Sequence, residues 1–237
     1  MTEHVRPSTV LPALRTPFTF TTSDGLRLIG EIARPESGDQ SSGILCLHPL
    51  PTHGGMMDSH IYKKAANRLP AMAGLTVIRF NTRGTTSEQG TSEGNFGLGI
   101  TEKEDVIAAI EYCFSELKMK ELWVVGWSFG TDLALKYARD SRVRGLILLS
   151  PPLRFSEPED LTFWAEDSRR VIALVPEFDD YLKPDEARER FKAIPQTELI
   201  AVDGAKHLWV GEPFVYRVLS EIVRAIKPER LPLPTEI

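Results

Sequence analysis

The chain has 237 residues, enough for one full-sized core, with 42% hydrophobic and 26% charged residues, an ordinary balance for a folded domain. A net charge of −5 without a basic cluster argues against a nucleic-acid partner. No apolar run approaches the roughly 20 residues needed to span a bilayer, so no membrane partner is expected.

The opening Met-Thr-Glu-His-Val-Arg-Pro lacks the apolar stretch of a signal peptide, and Cys46 and Cys113 read as reduced small hydrophobes. Both features point to a cytoplasmic protein. Residues 1–14 read as an N-terminal tail. Alternating apolar positions around Ser23-Asp24-Gly25 then predict a β-hairpin over 15–34. Gly43 to His48 is a short continuous apolar run, the kind buried on both faces of a parallel sheet. A helix is expected from about Ser59 to Leu69, closed near Pro70 and Gly74, followed by a strand at Thr76 to Phe80.

A long Gly- and Ser-rich loop, 83–99, leads to Thr101-Glu-Lys-Glu104, the pattern of a capping box opening the next helix. Strands are expected at 122–125, 145–150, 171–175 and 198–202. Helices are expected at 131–139, 184–193 and 214–225, with one short helix at most between 151 and 169. The tail 228–237 is proline-rich and reads as loose. Strict alternation after the hairpin implies a doubly wound, mostly parallel sheet within a single domain over 15–227. Ligands in such sheets collect at the carboxyl ends of the strands, which directs attention to the loops leaving them.

At one of those ends stands Gly126-Trp127-Ser128-Phe129-Gly130, a strand turning sharply into a helix with a serine at the apex. Gly126 and Gly130 provide the room such a tight crossing needs. A serine hydroxyl requires an adjacent base. Of the five histidines, His207 follows the last strand and so lies at the same edge. The base in turn needs a carboxylate, and Asp179 and Asp180 both follow the strand over 171–175, with Asp179 preferred. An oxyanion must also be held. In His48-Pro49-Leu50-Pro51 the two prolines have no N–H, so Leu50 is the backbone donor between them, to be paired with the N–H of Phe129.

These segments together, with Phe80-Asn-Thr-Arg-Gly84 and Gly204-Ala-Lys-His207, resemble the α/β-hydrolase superfamily over about residues 15–226. The similarity is greatest to small single-domain serine hydrolases and esterases with an H-P-x-P-x-x-G-G oxyanion loop. The resemblance implies an α/β-hydrolase fold: a mostly parallel eight-stranded sheet with helices on both faces, an N-terminal antiparallel hairpin and no large lid domain. It implies Ser128 as nucleophile, His207 as base, Asp179 as acid, and Leu50 and Phe129 as oxyanion donors. Pro176 departs from the glycine often found three residues before the acid. The short span between the strands at 145–150 and 171–175 implies an open site suited to small acyl groups.

The reaction expected is hydrolysis of a small-molecule carboxylic ester or thioester through an acyl-enzyme, without cofactor, by a monomer or homodimer. Peptidase, acyltransferase and perhydrolase chemistry use the same triad, and a non-catalytic binding protein on the same fold is the reading from another class. Trp127, Trp209 and Phe155 are candidates for the pocket wall. Arg83 reads as a tie for the long loop, with anionic substrate as its other use. His53, His60 and Asp58 are metal-ligand types, but their spacing fits no ligand pair, so no metal is expected.

Overall fold

The computed structural model describes residues 4–236. The chain opens with β1 (Leu14–Thr21) and β2 (Arg27–Arg34), the expected antiparallel hairpin. It continues through β3 (Ser42–Leu47), α1 (His60–Ala73) and β4 (Thr76–Phe80). A two-residue-per-strand hairpin, β5 (Thr86–Ser87) and β6 (Gly90–Thr91), then folds the long loop, a feature too short to leave a periodic signal. Next come α2 (Glu102–Ser115), β7 (Glu121–Trp127), α3 (Phe129–Tyr137) and β8 (Val143–Leu149). The chain closes with α4 (Pro158–Glu166), β9 (Arg170–Phe178), α5 (Pro184–Phe191), β10 (Thr197–Lys206) and α6 (Glu212–Ile226).

Eight strands form one sheet in the order β1-β2-β4-β3-β7-β8-β9-β10. Pairing is antiparallel from β1 to β4 and parallel from β4 onward. The alternation of side chains along each strand splits the core in two. Leu45 and Leu47 face the layer containing α2, α3, α4 and α5, whereas Ile44 and Cys46 face α1 and α6. From β3 the chain moves to β4 on one side, and β7 later occupies the other side. The crevice above β3 and β7 is therefore the switch point of the sheet, where ligand sites gather.

Several local expectations are corrected. The capping box at Thr101 does not form: Thr101 sits in helical geometry and its side chain caps nothing. Glu102 instead accepts the N–H groups of Gly97 and Gly99, and Glu104 accepts the Ser23 hydroxyl. Helix α1 runs through Pro70 to Ala73 before Gly74 closes it at φ 62°. The C-terminal tail is docked, not loose. Leu233 is buried, its carbonyl accepts from the Tyr216 hydroxyl, and the N–H of Val5 reaches Thr235 O.

Candidate active site

The site begins at the turn between β7 and α3. Ser128 is held at φ 52°, ψ −118°, a conformation costing a non-glycine residue about 1–3 kcal/mol. The surroundings impose it. A Cβ on Gly126 would lie 2.4 Å from Gly130 O, and one on Gly130 would lie 1.9 Å from Leu47 O. Strand and helix therefore cross at backbone contact, and the end of β3 presses on the first turn of α3. The Ser128 N–H is bound by Leu149 O and its carbonyl accepts from Thr131, so the hydroxyl alone projects into the crevice.

Two further loops converge on that hydroxyl. His207 Nε2 lies 2.9 Å from Ser128 Oγ, and His207 Nδ1 lies 2.9 Å from Asp179 Oδ2. Burial pushes the Asp179 pKa upward. The hydrogen bond and charge of His207, with the N–H groups of Tyr181 and Leu182, outweigh it and hold the carboxyl below its ordinary range. An ionised carboxylate only accepts, so the imidazole proton resides on Nδ1 and Nε2 is left to accept the serine proton. Asp180, one residue on, is exposed.

The backbone of His207 is fixed as well. Its carbonyl accepts from Trp127 Nε1 at 3.2 Å and Ser150 Oγ at 3.0 Å, while the next carbonyl, of Leu208, lies 2.6 Å from His60 Nε2. Ser150 and His60 were not legible as part of this frame, because they come from the ends of β8 and α1 and meet His207 only in the folded chain.

Opposite, the β3 loop brings up a backbone donor. Thr82 N–H donates to His48 Nε2, so the neutral ring carries its proton on Nδ1 and donates to Pro49 O at 2.7 Å. A trans peptide points its C=O and N–H in opposite directions, so anchoring the Pro49 carbonyl turns the Leu50 N–H away from His48. No hydrogen bond joins the Leu50 N–H to another of the described residues. Phe129 is the first residue of α3, so its N–H has no intrahelical acceptor. Burial holds the His48 pKa down at about 4, against the opposing pull of the Pro49 carbonyl, and keeps this ring neutral.

Leu50, Ser128, Phe129, Phe155 and His207 line one cleft of about 100 Å³, which also receives Arg154 and Tyr181. Trp127 and Trp209, expected as pocket walls, are core residues instead. Both are almost fully buried, packed with α1 and α6 on the other face of the sheet. Arg83 is consumed by Asp105 and Asp24, which establishes the tie and removes it from the cleft. Asp58 pairs with Arg79 at 2.8 Å, His60 serves Leu208, and His53 lies at the cleft mouth, so the three do not converge. Among the described residues no group of acidic, Cys and His side chains is arranged to hold a metal. Arg154 carried no motif; its signal was only its place, four residues beyond the strand-end Ser150.

The α/β hydrolase fold family model matches residues 44–217. The chain belongs to that family. In structure, the α/β hydrolase chain is similar to an alpha-beta serine hydrolase homologue from Coxiella burnetii (26% identity, TM-score 0.74, covering 89% of this chain and 96% of the other). It shares its fold with an α/β serine hydrolase without lid from Xanthomonas campestris (23%, TM-score 0.75, 95% and 99%) and with a Pyrococcus furiosus esterase (19%, TM-score 0.72, 90% and 93%). No curated protein sequence matches the chain. As in a lidless α/β hydrolase, only the nine-residue α4 stands between β8 and β9. Among the described residues no helix is long and apolar enough to cross a membrane.

Proposed function

We propose that this α/β hydrolase cleaves carboxylic ester or thioester bonds of small acyl groups, with Ser128 as nucleophile, His207 as general base and Asp179 as its orienting acid. The observation that carries the reading is the unbroken hydrogen-bonded run from Ser128 Oγ through His207 to Asp179, with two backbone N–H groups at hand. Ser128 Oγ attacks the carbonyl carbon as its proton passes to His207 Nε2. The carbonyl oxygen gathers negative charge and is held by the N–H groups of Leu50 and Phe129, the latter at the positive end of α3. Collapse breaks the bond to the leaving oxygen or sulfur, which takes the proton from Nε2 and departs. His207 then deprotonates a water that attacks the acyl-enzyme, and a second collapse releases the acid and restores the serine.

The small cleft, with only the nine-residue α4 inserted between β8 and β9, supports short acyl groups. A fluorophosphonate probe should label wild-type protein at Ser128, and p-nitrophenyl acetate turnover should vanish with Ser128→Ala. Undiminished turnover in that variant would overturn the mechanism. A wild-type protein that neither labels nor turns over esters would favour a binding role on this fold.

A further inference from the structure

We propose that Arg154 determines specificity by selecting substrates that carry a carboxylate, so that the natural ester or thioester includes a second, ionised acid group. The inference rests on the serine hydrolase reading and deepens it. Of the residues lining the cleft, Arg154 is the one that is always charged, and no aspartate or glutamate faces it there. Its guanidinium makes no ion pair with any of the described residues. It lies instead 5.5 Å from the centre of the Tyr181 ring, and that ring stands edge-on 4.7 Å from the ring of His207. A cation thus stands at the cleft, its five donors bonded to none of the described residues.

The mounting is firm. Before Arg154, Ser150 is bonded through its N–H to Leu174 O at 2.9 Å and through its hydroxyl to His207 O at 3.0 Å. Leu153 is buried and held at φ 51°. After Arg154, Phe155 O accepts from Lys136 Nζ at 2.9 Å, and Ser156 N–H donates to the buried Asp132 carboxylate at 3.0 Å. Its backbone is fixed on both sides, while its exposed side chain meets only the half-exposed Tyr181 ring, so the guanidinium is anchored at its root and reaches an anion at the cleft mouth from there. A guanidinium fork matches a carboxylate in shape as well as charge, which gives the preference a chemical identity. In a chain with a net charge of −5, an unpaired arginine in the cleft is also a local positive focus for an anionic substrate.

The test uses the purified full-length protein and two charged/neutral pairs of probes. Mono-p-nitrophenyl glutarate against p-nitrophenyl hexanoate places the carboxylate on the acyl side. 4-Acetoxybenzoate against 4-acetoxybenzamide places it on the alcohol side. The wild type should prefer the charged member of one pair in kcat/KM, and that pair identifies which half of the ester carries the acid. Arg154→Gln should lower that ratio about tenfold, the scale of one charge-assisted hydrogen bond at an open site. Arg154→Lys should recover part of it, and Arg154→Glu should lower it further. Ratios that do not move in Arg154→Gln, or a wild type without preference in both pairs, overturn the inference. Fluorophosphonate labelling of the same preparations separates the two levels: intact labelling with unmoved ratios removes only the role of Arg154, whereas absent labelling and turnover remove the hydrolase reading beneath it.

Discussion

His207 Nδ1 meets Asp179 Oδ2 at 2.9 Å, while Asp180, adjacent in the chain, is turned to solvent. Two carboxylates one residue apart thus have different environments, and only one can orient the imidazole. Asp179→Asn should lower kcat by about 10⁴, because an amide can stabilise the wrong tautomer of His207. Asp180→Asn should turn over p-nitrophenyl acetate at about the wild-type rate. Steady-state kinetics on the two variants checks the pair, and the reverse ranking would reassign the acid.

The Leu50 N–H can be deleted without a foreign side-chain group. Leu50 has φ −56°, close to the angle a proline ring demands, and Pro51 already restricts it to an extended ψ. Leu50→Pro should therefore keep the loop while removing the N–H proposed as one oxyanion donor. The expected loss is about 100- to 1000-fold in kcat with a much smaller change in KM. Circular dichroism on the same sample checks that the fold is retained; full activity would exclude Leu50 as a donor.

Gly130 marks the closest approach of α3 to the sheet. An alanine methyl there would stand 1.9 Å from Leu47 O and 3.0 Å from His48 O, both backbone atoms that cannot swing aside. Gly130→Ala should cost about 2–3 kcal/mol in urea unfolding, the upper part of the overpacking range. Because relief must move the helix start away from the β3 loop, kcat should fall too. A variant as stable as wild type would show that the crossing is looser than the structure describes.

His48 links stability to pH. Burial holds its folded pKa at about 4, below the ordinary 6.5, so between those values the unfolded chain binds a proton that the native ring refuses. Stability should rise with pH across that window and be lost as pH falls through it, by about 3 kcal/mol from this group alone. Asp179, whose pKa is lowered in the folded protein, acts on a lower window: its contribution is present above 3.8 and lost as pH falls further. Urea unfolding at pH 7, 6, 5 and 4 measures the slope. His48→Gln, which keeps a donor and an acceptor but does not titrate, should flatten it; an equally steep slope would assign the effect to other groups.

What the sequence alone determined is local and periodic. Runs such as Gly43 to His48 announced buried parallel strands, and their alternation with amphipathic segments announced the layered sheet. The order of Ser128, Asp179 and His207, each directly after a strand, was legible because chain order and strand ends suffice to assign loops to one edge. Local rules failed where distant partners intervened. Glu102 took the N–H groups of Gly97 and Gly99 in place of the capping box at Thr101. Leu233 docked onto the domain although its proline-rich surroundings read as loose.

Tertiary structure alone decided where side chains point across the sheet. Trp127 precedes Ser128, yet strand alternation sends its indole to the α1 and α6 face, where it supports the His207 carbonyl from behind. The choice between Asp179 and Asp180 depended on which oxygen the β10 loop could reach. Arg154, without a motif of any kind, entered the cleft only because Ser150 and Ser156 anchor the loop that carries it. Sequence periodicity reports which residues share a strand or a helix face; which faces meet is set by contacts between segments dozens of residues apart, and those exist only in the folded chain.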